Sequence, residues 1–408
     1  MRNLRVSAAR IRADLEAMAA ITDPGRPWTR RAFSPLFDEG RNWLRARMSA
    51  AGLEVSLDAG GNLIGMRAGR DPAAGTIMLG SHSDTVPDGG RFDGIAGVIV
   101  ALEIARMLDE RGLRLRHNLA VVDFLAEEVS VFGVSCIGSR CMAGVLPHEW
   151  HGLSHEGRSL AQAVADVGGD VAAIAARDDI RAFLELHIEQ GPVLEESGTD
   201  LGFVTAIAGI ERVEIILTGQ PDHAGTAPMD RRADALVAAS ALVGAINAEA
   251  RLRAARTHFT ATVGEFSIEP GAANVVPGRV RLLIDARAAE RAEMEDFLRW
   301  IEARIAVQPA GITAATRLLS DNHPTPMDIG LIAALETAAD TLGVSHRRMV
   351  SGAGHDAAFM SRLAPATMVF VPCLKGRSHC PEEWAEAEDI ALGAEVMAET
   401  VLALDKGE

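Results

Sequence analysis

Gly80-Ser81-His82-Ser83-Asp84-Thr85-Val86-Pro87, followed by Arg91-Phe92-Asp93-Gly94-Ile95-Ala96-Gly97, anchors the reading of this 408-residue chain. The stretch follows the apolar run Thr76-Ile77-Met78-Leu79 and leads into an alanine-rich helical pattern over 94–109. A short apolar run of this kind reads as a buried strand. His82, a carboxylate two residues on and Asp93 nine residues beyond that stand where a strand gives way to a loop. In α/β sheets ligands gather at the carboxyl ends of strands. Imidazole with carboxylate at such a place is a donor set for a cation that activates water, which points to hydrolysis.

Strand and helix patterns alternate outward from this point. Residues 8–20 and 36–51 read as amphipathic helices, and 55–58 and 63–67 as strands around a turn at Gly60-Gly61-Asn62. The apolar run 119–125, which ends at Glu127-Glu128, and the run 182–187 are further strands. Together they predict an α/β domain with a central mixed sheet flanked by helices. From about Glu211 the order becomes strand 213–218, helix 233–250, strands 259–268 and 280–286, and helix 288–305. This fits a ferredoxin-like α+β insertion ending near Asp321. A helix at 331–342, a strand at 367–371 and a closing helix at 385–404 return to the first style. The expected division is a catalytic domain from 1–210 and 323–408, with 211–322 inserted as a lid and dimerisation domain.

Composition narrows the partners. Lys plus Arg number 40 against 56 Asp plus Glu, a net charge of −16 that repels phosphate backbones, so no nucleic-acid partner is expected. Met1-Arg2-Asn3-Leu4-Arg5-Val6 lacks the apolar core of a signal peptide, and no run is expected to reach the roughly 20 residues of a membrane span. Cys136, Cys141, Cys373 and Cys380 form no Cys-x-x-Cys pair, so reduced thiols and a cytoplasmic location are the expectation. The chain has no tyrosine, which removes any phenol from the chemistry. A catalyst must draw on His, Asp, Glu, Asn, Arg or metal.

Five groups able to bind a cation fall at strand ends or in the loops after them: His82, Asp93, Glu128, His187 and His379. Mixed imidazole and carboxylate suits Zn, Mn, Co or Ni better than Ca or Mg. The set exceeds what one catalytic ion needs, and a carboxylate bridging two ions would account for the surplus. Asp84 could accept the second imidazole proton of His82 and fix its tautomer. Glu127-Glu128 alone would be two solvated carboxylates capping a strand. Burial of both without a cation would cost several kcal/mol. In extended backbone, neighbours face opposite ways, so one could bind metal and the other act as general base. His223, in a turn-rich loop, and Arg287, after a strand, read first as surface residues, with a group aimed at a ligand as the alternative for each. Ser351-Gly352-Ala353-Gly354-His355-Asp356 lacks the lysine of a phosphate loop and follows no clear strand. Cys380 reads as a buried, inert thiol.

With these residues assembled, the chain resembles the dinuclear metallohydrolases of the aminoacylase and carboxypeptidase superfamily. Within that superfamily it is most similar to the amidase branch of N-carbamoyl-L-amino-acid hydrolases, ureidopropionases and allantoate amidohydrolases. The matching stretches are GSHSDTVPDGGRFDGIAG at 80–97, AEE at 126–128, ELHIEQGPVLE at 185–195, DHAGTAPMDRRADAL at 222–236, NVVPG at 274–278, SGAGHDA at 351–357 and GRSHCPEEW at 376–384. The resemblance implies two divalent ions bridged by Asp93, with His82 and His187 on one and Glu128 and His379 on the other. It implies Glu127 as general base and His223 as oxyanion donor, within its own subunit or across a homodimer formed by the inserted domain. Gln190, Asn274, Arg287 and the loop Gly352-Ala353-Gly354 would bind a small substrate, with Arg287 on its carboxylate. The implied activity is hydrolysis of a linear C–N bond other than a peptide, foremost an N-carbamoyl-L-amino acid to amino acid, carbon dioxide and ammonia. Allantoate and β-ureidopropionate hydrolysis are alternatives. More distant ones are N-acyl-amino-acid hydrolysis or dipeptidase activity, and a non-catalytic binding protein. One departure stands out: relatives read Glu-Glu-Gly-Ser-Arg-Phe where this chain has Glu127-Glu128-Val129-Ser130-Val131-Phe132.

Overall fold

The computed structural model describes residues 5–407, so the leader reading at residues 1–4 lies outside the described residues. The chain divides into two compact units. One holds the residues up to Thr205, Met327–Met349 and those from His355 onward; the other holds Ala206–Pro326 and Val350–Gly354.

The first unit is built on a mixed sheet. Its strands are β1 (Glu54–Leu57), β2 (Leu63–Arg67), β3 (Thr76–His82), β4 (Asn118–Phe124), β5 (Ile180–Ile188), β6 (Leu201–Ile207) and β7 (Ala366–Val371). They lie in the order β1-β2-β4-β3-β5-β7-β6, and β6 also pairs with the short strand Thr325–Pro326 and with His346–Ser351. The centre is parallel: β3 pairs with β4 and with β5, and β7 pairs with β5. β1, β2 and β6 add antiparallel pairings outside it. Every residue of β3 and β7 is buried, which fits parallel strands covered on both faces and explains their unbroken apolar runs. The helix Ile95–Glu110 packs on β3, β4 and β5, and Ala8–Ala19 and Ala387–Lys406 pack on that helix in turn. Its apolar side is almost all round, as befits a helix buried between sheet and helices.

The second unit is an antiparallel sheet in the order Phe259–Glu269, Arg279–Ala288, Gly209–Thr218, Thr313–Asn322. Two helices, Ala235–Ala254 and Arg291–Ile305, pack on it, giving the strand order of a split βαβ fold. Arg279–Ala288 buries every second side chain, among them Val280, Leu282 and Ile284, against a core that includes Phe297. Against the expectation from sequence, one helix, Ala235–Ala254, is long and apolar enough to cross a membrane. Its Ala235, Ala239, Leu242 and Ile246 instead pack into this core. The glycine loop at 352–354 also departs from expectation, because the strand His346–Ser351 runs directly into it. The charges of Arg347 and Arg348, exposed on that strand, obscure its pattern in the sequence.

Candidate metal centre

β3, β4 and β5 run side by side, so their carboxyl ends deliver His82, the Glu127 segment and His187 to one rim of the sheet. The Nδ1 of His82 lies 3.0 Å from the Asp84 carbonyl, and the Nδ1 of His187 lies 2.9 Å from the Ile188 carbonyl. With Nδ1–H donated to a carbonyl, each ring turns its Nε2 lone pair inward. Both Nε2 atoms face one oxygen of Asp93: Oδ1 is 3.7 Å from His82 and 3.0 Å from His187. The other oxygen, Oδ2, is 3.0 Å from His379 Nε2, which in turn lies 3.1 Å from Glu128 Oε1. Two groups able to hold a cation thus share Asp93, namely His82–Asp93–His187 and Asp93–Glu128–His379. Gly94 makes the approach possible. It sits at φ +66°, and a Cβ there would lie 2.3 Å from the His82 ring.

Two details correct the sequence reading. Asp84 meets the His82 imidazole chiefly through its backbone carbonyl, with its carboxylate farther away at 3.5 Å. That carboxylate instead accepts the backbone N–H of Glu127 at 3.1 Å and of Glu128 at 3.2 Å. The glutamates are also not alternating neighbours on an extended strand: β4 ends at Phe124 and Ala126 takes a left-handed turn at φ +54° before them. The turn, held by Asp84, separates their directions. Glu128 Oε1 points to His379, while Glu127 Oε2 lies 3.6 Å from His82 and its Oε1 receives the Cys136 thiol. Val129 is 57% exposed and keeps an ordinary negative φ, so the loop does not require glycine at that position.

The electrostatics ask for positive charge. Asp84, Asp93, Glu127, Glu185 and Asp356 are all buried, and Glu128 nearly so. Among the described residues none of the six forms an ion pair with Lys or Arg. Burial, relieved in part by His82 and reinforced by Asp356, pushes Glu127 well above the usual carboxylate range. Burial would raise Asp93 too, yet hydrogen bonds with His187 and His379 hold it well below that range. His379 is driven up to about 11 by its hydrogen bonds to Asp93 and Glu128. Imidazoles set among buried carboxylates supply the donor chemistry that a divalent cation would satisfy. The residues therefore fit divalent ions, with imidazole and carboxylate favouring Zn, Mn, Co or Ni.

Other expected residues fall elsewhere. Gln190, read as a substrate contact, spends its amide on the site itself: Nε2 lies 2.8 Å from Asp93 Oδ2 and 3.2 Å from Ser378 Oγ. In the second unit, His223 is exposed and its Nδ1 accepts the Gly225 N–H at 3.0 Å, which leaves Nε2–H as a free donor. Asn274 is exposed nearby, its carbonyl receiving the Ala224 N–H. Arg287 is already engaged, with Nε on Asp285 and Nη1 on the Gly352 carbonyl, both at 2.8 Å. The loop Gly352-Ala353-Gly354 is thereby tied to this unit, and Ser351 Oγ closes it on the Ala353 carbonyl. Cys380 is half-buried, not buried, and joins neither donor group.

Four residues that the sequence did not single out complete the surroundings. Glu185 accepts Ser81 Oγ at 2.6 Å beneath His187, and burial with Glu185 beside it pushes Asp356 well above the usual range. Arg30, fully buried, gives Nε to the Ser83 carbonyl and so pins the loop after β3; burial lowers it to about 10. Glu383 lies behind Asp93, its carboxyl raised to about 7 by burial and by Asp93. Only the alternation at Glu185, inside an apolar strand, carries a sequence signal; the others are met through tertiary contacts.

Comparison with known proteins identifies the family. The chain is 39% identical over 414 residues to an N-carbamoyl-L-amino-acid amidohydrolase of Paenarthrobacter aurescens, covering 98% of this chain and 99% of that protein. It is 37% identical to an allantoate amidohydrolase of Bacillus subtilis (strain 168), covering 92% of each. A solved amidase of the hydantoinase/carbamoylase family from Burkholderia multivorans superposes with a TM-score of 0.90 at 37% identity, covering 98% of both chains. The pattern of peptidase family M20/M25/M40 runs through residues 78–403, a span holding every donor described above. On sequence, fold and donor set together, the chain belongs to peptidase family M20/M25/M40.

Proposed function

We propose that this protein is a metal-dependent amidohydrolase of a linear C–N bond, acting on an N-carbamoyl-L-amino acid. The carrying observation is Asp93, which offers one oxygen to each of two donor groups within a buried excess of carboxylates. His82, Asp93 and His187 would hold one divalent ion, and Asp93, Glu128 and His379 a second. Such ions supply a lowered pKa for water and polarisation of the scissile carbonyl.

The chain's own residues do the rest. Glu127, buried and outside both donor groups, takes the proton from the attacking water and returns it to the leaving nitrogen. His223 offers Nε2–H to the oxyanion that develops on the carbonyl oxygen. Arg287 keeps Nη2 for the substrate carboxylate while Asp285 and the Gly352 carbonyl hold the guanidinium in place. Water adds to the carbonyl carbon and the C–N bond breaks. The products are the free amino acid and carbamate, which falls apart to carbon dioxide and ammonia. Two copies pair through the second unit, whose Val237, Leu252, Leu318 and Leu319 are exposed apolar side chains.

The similarity to an allantoate amidohydrolase supports a second substrate class with the same ureido group. A panel of N-carbamoyl-L-amino acids, N-carbamoyl-β-alanine, allantoate and N-acetyl amino acids, scored by ammonia release with Mn, Co, Ni or Zn added, separates them. Turnover of N-carbamoyl-L-amino acids above the others is expected. Turnover of N-acetyl amino acids alone, without ammonia, would refute the ureido reading.

A further inference from the structure

We propose that Glu383 is the positioning residue of the metal centre: it sets the Asp93 turn against the His379 loop, so that cation affinity depends on a side chain outside both donor groups. The inference rests on the metal-centre reading above. Glu383 is fully buried. Its Oε1 accepts the backbone N–H of Phe92 at 2.8 Å and of Asp93 at 3.1 Å. Its Oε2 lies 2.8 Å from Ser378 Oγ, and the same hydroxyl lies 3.0 Å from Asp93 Oδ2. One carboxylate thus grips the Asp93 turn from behind, by its backbone directly and by its side chain through Ser378. Ser378 immediately precedes His379, so the same contact fixes the second donor group.

Two independent features show that the space is shaped around this carboxylate. A Cβ on Gly90 would lie 1.9 Å from it, so only glycine leaves room there. Beyond it, the Trp384 ring packs edge-on to Phe92 at 5.4 Å, and the Arg91 guanidinium lies 4.5 Å from the Trp384 ring and 5.0 Å from that of Trp28. These contacts clamp segments 91–93 and 383–384 together without contributing a donor. A carboxylate buried beside the anionic Asp93 is a costly filler, and an apolar residue of similar volume would serve packing better. Its value lies in orientation, the part that groups behind metal ligands play.

The test is zinc affinity, read by competition with a chromophoric chelator, alongside the melting temperature of the zinc-free chain. Glu383→Gln keeps an acceptor for both N–H groups and an amide for Ser378, and should bind zinc within about threefold of the wild type. Glu383→Ala should lose about 10–100-fold in zinc affinity. Gly90→Ala, which displaces the carboxylate without removing it, should weaken zinc binding in the same direction. A purely structural Glu383 would lower the melting temperature of Glu383→Ala and leave zinc affinity of the folded protein at the wild-type value; that result overturns the proposal. Should Glu383→Ala fail to fold, wild-type zinc affinity in Gly90→Ala overturns it equally. A wild-type chain that takes up no zinc would instead refute the metal-centre reading itself, so the two failures are distinguishable.

Discussion

At the scale of single residues, the groups proposed to hold cations are distinct from Glu127, the one proposed to move protons. Glu127→Gln keeps the shape and both donor groups but cannot accept a proton. It should lower kcat by about 10²–10⁴-fold while metal content, read by elemental analysis, stays at the wild-type level. Near-normal turnover in that variant would remove Glu127 from the mechanism. Asp405 gives a prediction away from the site. Burial would raise its carboxyl, but the N–H groups of Arg116 and His117 hold it below the usual range. A group depressed in the folded state stabilises above its unfolded pKa of about 3.9 and loses that contribution as pH falls through the folded value. Asp405→Asn should therefore be less stable than the wild type at pH 7, with the difference closing in strong acid. Denaturant titrations at both pH values check it, and a gap independent of pH would contradict the assignment.

Elements explain both what the sequence discloses and what it withholds. β3 is legible because a strand buried on both faces must be apolar throughout, and its end carries His82, the first of the proposed ligands. The split βαβ order of the second unit is legible because its strands alternate and its helices do not. β6 escapes detection, since Gly202 and Thr205 break the apolar run of Leu201–Ile207. Ala126 escapes too: nothing in an alanine announces a left-handed turn, yet that turn aims Glu127 and Glu128 apart. Glu383, Ser378 and Arg30 are invisible because each has a partner far away in the chain: Phe92, Asp93 and Ser83. Long-range pairing also predicts a stability effect. Arg41, on the helix Pro35–Ala50, reaches the end of β4, with Nε 2.9 Å from Asp123 Oδ2 and Nη2 2.9 Å from the Asp123 carbonyl. Arg41→Met strands a buried carboxylate and should cost about 3–5 kcal/mol. A loss under about 1 kcal/mol in urea unfolding would show that Asp123 finds another partner.

For the whole molecule, folding and metal binding are one equilibrium. The wild-type chain gathers six buried or nearly buried carboxylates with no Lys or Arg ion pair among the described residues, so cations should stabilise the folded state. Free metal at a hundredfold excess over its Kd should add about 2.7 kcal/mol per site and raise the melting temperature, and a chelator should reverse the gain. Since Asp93 supplies one oxygen to each donor group, the ions should be lost together. The direct test is the number of tightly bound ions per chain in the wild type and in a folded Asp93→Ala variant, measured by elemental analysis after dialysis. Two are expected in the wild type and none in the variant. One ion retained by Asp93→Ala at wild-type affinity would contradict it, because the two groups would then be independent.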